Sequence, residues 1–194
     1  MTSACTHDQL FLQARSHNGW LPGEIGDDVL ERLYELVRHG PTSANTCPMR
    51  LVFVRSAQAK ARLAPALAPA NVDKVMAAPV TAIVAYDTAF HRLGDTLFPH
   101  RPAMHDMFAS DAALAQETAF RNSSMQGGYL ILAARALGLD CGPLSGFDAD
   151  AVNQAFFAGS TWRVNFLCNL GQGDPGRLFP RLPRLSFAQA CRID

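Results

Sequence analysis

Five short polar segments interrupt an otherwise apolar chain of 194 residues, and their residue types suggest one shared task. They are Arg15-Ser16-His17, Gly40-Pro41-Thr42-Ser43-Ala44-Asn45, Asn71 with Lys74, Leu144-Ser145-Gly146-Phe147-Asp148 and Arg181-Leu182-Pro183-Arg184. Arginine forks bind phosphate oxygens bidentately, and carboxamides read the polar edge of a pyrimidine. A glycine turn lets backbone meet a ring. Singly, each segment has an ordinary explanation, with Arg15 a solvated charge and Asn71 an N-cap. Together they supply what a flat, phosphorylated heteroaromatic cofactor needs.

Motifs for other chemistries fail on their context. Gly171-Gln-Gly-Asp-Pro-Gly176 spells G-x-G-x-x-G, but a dinucleotide fingerprint needs a helix next and an acid about 20 residues on. Pro175, Pro180 and Pro183 prevent that helix, and only 18 residues follow Gly176, so the segment is a turn. Gly142-Pro-Leu-Ser-Gly146 lacks the spacing of a nucleophile elbow, and no histidine follows His105. Around Cys47 no His–Asn/Asp arrangement for a nucleophile is legible. His91, His100 and His105 share one stretch, but no helix face unites the His100–His105 pair. They read as surface histidines, and no metal site is expected. Cys5, Cys47, Cys141, Cys168 and Cys191 include no C-x-x-C and read as reduced thiols.

Composition narrows the field further. Seventeen basic residues balance 17 acidic ones, which removes the electrostatic footprint of nucleic-acid binders and of polybasic membrane patches. The longest uncharged stretch of helical character, 122–134, has 13 residues, short of the roughly 20 of a membrane span. Residues 1–8 show no basic n-region before an apolar core, so no leader is expected. The expectation is a single cytoplasmic domain over 1–194, with no nucleic-acid or membrane partner. Only two of the basic residues, Lys60 and Lys74, are lysine.

The elements that must position these segments follow from periodicity and punctuation. After Asp27-Asp28, the residues Val29, Leu30, Leu33, Leu36 and Val37 recur at helical spacing until His39-Gly40-Pro41 stops them. The pattern predicts further helices over 57–68, 71–77, 111–137 and 148–156, and strands over 51–54, 80–86, 139–144 and 163–170. Residues 40–48 are a loop by turn chemistry, 87–110 an irregular excursion and 180–186 an extended tail. The long helix carries no charge from Ser123 to Ala134, which predicts burial on every side. Its Gly127-Gly128 pair costs about 2 kcal/mol of helix propensity, implying that a backbone or flat ligand approaches closely. Helices and strands mix without a strict βαβ rhythm, so the class is α+β.

In Arg15-Ser-His-Asn-Gly-Trp20, Gly40-Pro-Thr-Ser-Ala-Asn45, Thr118-Ala-Phe-Arg-Asn-Ser-Ser-Met-Gln126 and Arg181-Leu-Pro-Arg-Leu-Ser-Phe187, the chain resembles the FMN-dependent nitroreductase family. The resemblance runs from Ala14 to about Ala190 and is nearest the subgroup containing the malonic semialdehyde reductase of bacterial pyrimidine breakdown. It implies a nitroreductase-like α+β fold, with a mixed, mostly antiparallel sheet flanked by helices. It also implies a domain-swapped homodimer with FMN at the subunit interface and the Gly127-Gly128 helix packed there. By that resemblance Arg15 and Arg184, with Arg181, hold the FMN phosphate. Ser16 and His17 line the ribityl and ring region, and Asn71 and Lys74 face the pyrimidine end. Pro41, Thr42, Ser43 and Asn45 come from the second subunit, and Ser145 and Gly146 set a backbone N–H against flavin N5.

NADH or NADPH would reduce the flavin, and a small-molecule acceptor would reoxidise it in a ping-pong cycle. Malonic semialdehyde, nitroaromatics and quinones are the acceptors implied, with Arg121 the candidate partner for a substrate carboxylate. A flavin-binding protein without turnover is the alternative class. Because the cofactor carries the hard step, no protein acid, base or nucleophile is obligatory, in keeping with the motifs that fail. A cation such as Lys74 near flavin N1 and the C2 carbonyl would raise the reduction potential.

Overall fold

The computed structural model describes residues 6–194, and Cys5 with the residues before it lies outside the described part. Four strands, β1 (Met49–Val54), β2 (Val80–Asp87), β3 (Asp140–Leu144) and β4 (Trp162–Gly171), form one sheet in the order β1-β2-β4-β3. Every pairing of these strands is antiparallel, and an isolated bridge between Ser16 and Cys141 adds a parallel contact at the β3 edge. All of β2 is buried, as its unbroken apolar run demands of a strand covered on both faces.

The helices are α1 (Asp27–Val37), α2 (Ala57–Leu63), α3 (Pro69–Ala77), α4 (Gly94–Leu97), α5 (Pro102–Ser110), α6 (Ala112–Ala136), α7 (Ala149–Phe157) and α8 (Phe187–Ala190). Their starts follow local chemistry. Ser56, Asp111 and Asp148 each accept a hydrogen bond from the backbone N–H three residues on, at the N-termini of α2, α6 and α7. Alternate β2 residues feed two cores. Val80, Ala82 and Val84 pack with Leu30, Leu33 and Val37 of α1 and Leu130 and Ala134 of α6. On the other face, Ile83 and Ala85 pack with Leu63 of α2, Val75 of α3, and Val152 and Phe157 of α7.

Four expectations need correction. The excursion over 87–110 is not irregular: a 3-10 turn (Phe90–Leu93), α4 and α5 fill it. Pro102 sits in the first turn of α5, where a proline is tolerated. The Phe90 and Phe108 rings meet edge-on at 5.0 Å and seed a small core of their own. Of its histidines, His100 is exposed as expected, but His91 and His105 are half-buried. The His105 side chain is 15% exposed, and a Cβ on Gly94 would overlap its ring.

The long helix is not buried all round, because Phe120, Ser124, Met125 and Gly128 lie exposed on one face of it. Within one chain, its glycine pair meets no backbone of another element. A Cβ on Gly127 would lie 2.4 Å from the Phe166 ring of β4, whereas one on Gly128 would meet open space. Among the described residues no helix is long and apolar enough to cross a membrane.

Candidate functional site

The edge strand β3 gathers three of the five segments. Ser16 bridges Cys141 and the His17 N–H donates to the Cys141 carbonyl at 2.9 Å, so Arg15-Ser16-His17 runs beside β3. Where β3 ends, Ser145-Gly146 turns onto α3. The Gly146 carbonyl accepts from Ala68 N at 2.9 Å and from Asn71 Nδ2 at 3.0 Å. Asn71 lies inside α3 rather than at its N-cap, which frees its amide for this contact. Its Oδ1 accepts from Lys74 Nζ at 3.3 Å, so Asn71, Lys74 and Gly146 form one polar group.

The tail meets the N-terminal segment that runs beside this edge. A cleft of about 640 Å³ is lined by Arg15, Ser16, Asn18, Arg135, Arg181 and Arg184, with Phe11, Leu12, Phe179 and Leu182 among its apolar walls. The four guanidinium groups donate to main-chain carbonyls. Arg15 donates to Phe179, Arg135 to Leu10 at 2.8 Å, Arg181 to Leu12 and Ala14, and Arg184 to Leu182 and Pro183. None of the four is in a salt bridge with a carboxylate of the described residues. Each guanidinium has five donors, so most remain to receive an anion. His17 is turned inward instead: its ring is buried, with Nε2 3.3 Å from Asp140 Oδ1, and a Cβ on Gly173 would overlap it.

The Gly40–Asn45 loop stands apart from this cleft. Its hydrogen bonds run to α6 and to the excursion: Ser43 N–H to Asn122 Oδ1 at 2.8 Å, Tyr129 OH to the Pro41 carbonyl at 3.1 Å, and Asn45 Nδ2 to the Leu97 carbonyl at 2.8 Å. Asn122 and Gln126, both buried, explain the polar residues inside an apolar stretch of α6. Gln126 Oε1 accepts the Met49 N–H just beyond the loop. Ala44, Asn45 and Cys47 all have positive φ, at 49°, 48° and 39°. Left-handed non-glycine backbone costs about 1–2 kcal/mol per residue and is held only where the surroundings impose it. The Cys47 thiol donates to Asn45 Oδ1 at 3.3 Å.

Arg135 and Asn18 are the site residues that sequence reasoning missed. A basic residue in the last turn of a helix already suits the helix dipole, so Arg135 carried no signal of its own. Asn18 lies within 15–20, where nothing in its type or spacing marks it. Buried Cys168 is a poor source of thiolate by contrast. The hydrogen bond with Cys141, and then burial, push the Cys168 thiol well above its ordinary range. No group of three or more His, Cys, Asp or Glu among the described residues could hold a metal ion.

Comparison with known proteins gives one consistent result. Residues 13–172 match the Nitroreductase family. Over 195 aligned residues, the whole of both chains, the sequence is 57% identical to a Ralstonia pickettii protein provisionally named NADH dehydrogenase/NAD(P)H nitroreductase HadB. It is also 57% identical over 188 residues, 96% of each chain, to a protein of Cupriavidus pinatubonensis with the same provisional activity name. The fold matches a provisionally assigned nitroreductase from Exiguobacterium sibiricum, solved in complex with FMN, with a TM-score of 0.88 over all of both chains at 20% identity.

Proposed function

The chain belongs to the nitroreductase family, and from that premise we propose that it is an FMN-dependent NAD(P)H oxidoreductase, one domain over residues 1–194 that works as a homodimer. The observation that carries the reading is the arrangement along the β3 edge. An arginine-lined cleft without a paired carboxylate suits a phosphate, and the Asn71–Lys74–Gly146 group suits the polar edge of a ring system. When bound, FMN supplies hydride chemistry. The chain's own residues bind and orient it.

In this reading Arg15, Arg181 and Arg184 hold the phosphate, joined by Arg135, while Ser16 and the main chain at His17 follow the ribityl. Asn71 and Lys74 hold the pyrimidine end, and Ser145 and Gly146 offer backbone at N5. Pro41, Thr42, Ser43 and Asn45 serve the flavin of a second copy. Their hydrogen bonding to α6 and Leu97, away from the arginine cleft, supports that division. So does the exposed apolar surface of one chain. Phe179, Leu182, Leu185 and Phe187 of the tail are each 66–73% exposed, and Phe120 and Met125 of α6 are also exposed. Exposed apolar side chains of this kind are what a swapped dimer covers.

The acceptor is small, and the cycle is ping-pong in one pocket. Arg121, the candidate anchor for a substrate carboxylate, is paired with Glu117 one helical turn away, on an exposed face. That pairing favours a broad range, nitroaromatics and quinones included, over a pocket dedicated to malonic semialdehyde. A cytoplasmic location accompanies the reading, with Cys47, Cys141, Cys168 and Cys191 as free thiols.

The test is the visible spectrum of the purified protein, with heat release and chromatographic identification of any chromophore. About one FMN per chain, bleached by NADH or NADPH and recoloured by malonic semialdehyde, a nitroaromatic or a quinone, is the expected result. A colourless protein that takes up no added FMN would overturn the reading. A bound flavin that neither nucleotide reduces would leave a binding protein without turnover.

A further inference from the structure

We infer that Trp20 and Asn169 are positioning residues for Lys74, gripping its main-chain carbonyl and thereby tying the phosphate-binding segment to the opposite end of the cofactor. This rests on the reading that Lys74 faces the pyrimidine end of FMN.

The observation behind it is how α3 ends. The last four carbonyls of a helix have no partner within it, and a glycine-based C-cap commonly turns backbone N–H groups onto them. That route is closed here. Ala78 is already extended (φ −66°, ψ 139°) and leads through Pro79 straight into β2. Side chains from three other elements take the carbonyls instead. Trp20 Nε1 and Asn169 Nδ2 donate to the Lys74 carbonyl at 3.1 and 3.3 Å, and Lys60 Nζ donates to the Met76 and Ala78 carbonyls.

These donors are themselves fixed. Asn169 is 1% exposed, and its Oδ1 accepts from the buried Thr81 hydroxyl at 2.6 Å, which sets the amide orientation. The Trp20 indole lies against β3 and β4, where a Cβ on Gly142 or Gly171 would come within 3.1 and 3.0 Å of it. Trp20 is also bridged to Gly173 and lies five residues beyond Arg15. The contact it protects is long: Lys74 Nζ sits 3.3 Å from Asn71 Oδ1, so a small movement of the main chain loses it. Coulomb energy between the ammonium and charge on a reduced ring falls with distance, so the clamp acts on reduced flavin more than on oxidised.

The measurement is the ratio of affinities for reduced and oxidised FMN, obtained from the potential of the bound flavin and fluorescence titration of the apoprotein. Lys74→Met is expected to lower the ratio about tenfold, equal to roughly 30 mV for a two-electron couple. Trp20→Phe, which keeps the aromatic packing and removes the donor, is expected to lower it about threefold, and to add nothing in the Lys74→Met background. A folded Trp20→Phe with the wild-type ratio, beside a shifted Lys74→Met, would refute the clamp and leave the flavin reading intact. An unshifted Lys74→Met would remove both the clamp and the lysine's assigned role. Should Trp20→Phe not fold, the paired Thr81→Val/Asn169→Leu variant decides by the same ratio, since it removes both members of the buried hydrogen bond at similar shape.

Discussion

The two ends of the β3-edge site are built in opposite ways. At one end four arginines line an open cleft and lean on main-chain carbonyls of the N-terminal segment and the tail. At the other, one lysine stands on a short helix whose terminal carbonyls are capped by buried side chains. The first arrangement spreads attraction for an anion over several bidentate donors in an exposed cleft. The second supplies precision at a single charge. In the proposed reading, affinity for FMN belongs mainly to the arginine end, and control over which oxidation state is bound belongs to the lysine end.

That division can be broken experimentally, most sharply at the arginine end. Arg15→Ala should weaken FMN binding by about 2–3 kcal/mol, roughly 30- to 150-fold, while Arg62→Ala, outside the cleft, should change it by less than about twofold. Equal effects in a fluorescence titration would show that the cleft is not the phosphate site. Next in size is Thr81→Val. It leaves Asn169 Oδ1 buried without its donor and should cost about 1–2 kcal/mol in thermal unfolding while leaving affinity for oxidised FMN near wild type.

A gentler probe is salt. Raising ionic strength should weaken FMN binding through the exposed arginines, yet the ratio of reduced to oxidised affinities should move little, because the lysine end is screened less. The smallest effect concerns Lys60, whose burial holds its ammonium below the ordinary 10.5. The unfolded chain keeps that proton to higher pH than the folded one. Stability relative to Lys60→Met should therefore rise with pH from the folded value up to 10.5. Parallel pH curves for the two proteins would show that Lys60 is not buried as charged in the folded state.

The excursion and α6 show where sequence patterns mislead. Gly94, Pro99 and Pro102 look like loop punctuation, but a proline in the first helical turn costs nothing. The Phe90–Phe108 contact that organises the segment joins residues eighteen apart. Gly127-Gly128 was read as one feature, yet the two glycines face different surroundings, the Phe166 ring and open space. Helix position decides this, since successive residues point about 100° apart.

Local chemistry was enough for the rest of the frame. Asp111, Asp148 and Ser56 announce helix starts, the apolar run at 80–86 announces the central strand, and the clustered arginine, amide and glycine types announce a phosphorylated ring ligand. Each of those signals is local, so the sequence by itself determined the α+β class and most elements outside 87–110, and it pointed to candidate residues for a cofactor. What only the tertiary structure decided is how distant groups meet. Trp20, Lys74 and Asn169 converge on one carbonyl from separations of 54 and 95 residues, His17 turns inward to Asp140, and Arg135 joins the cleft from the end of α6. Such meetings depend on strand order and register, which no local pattern encodes.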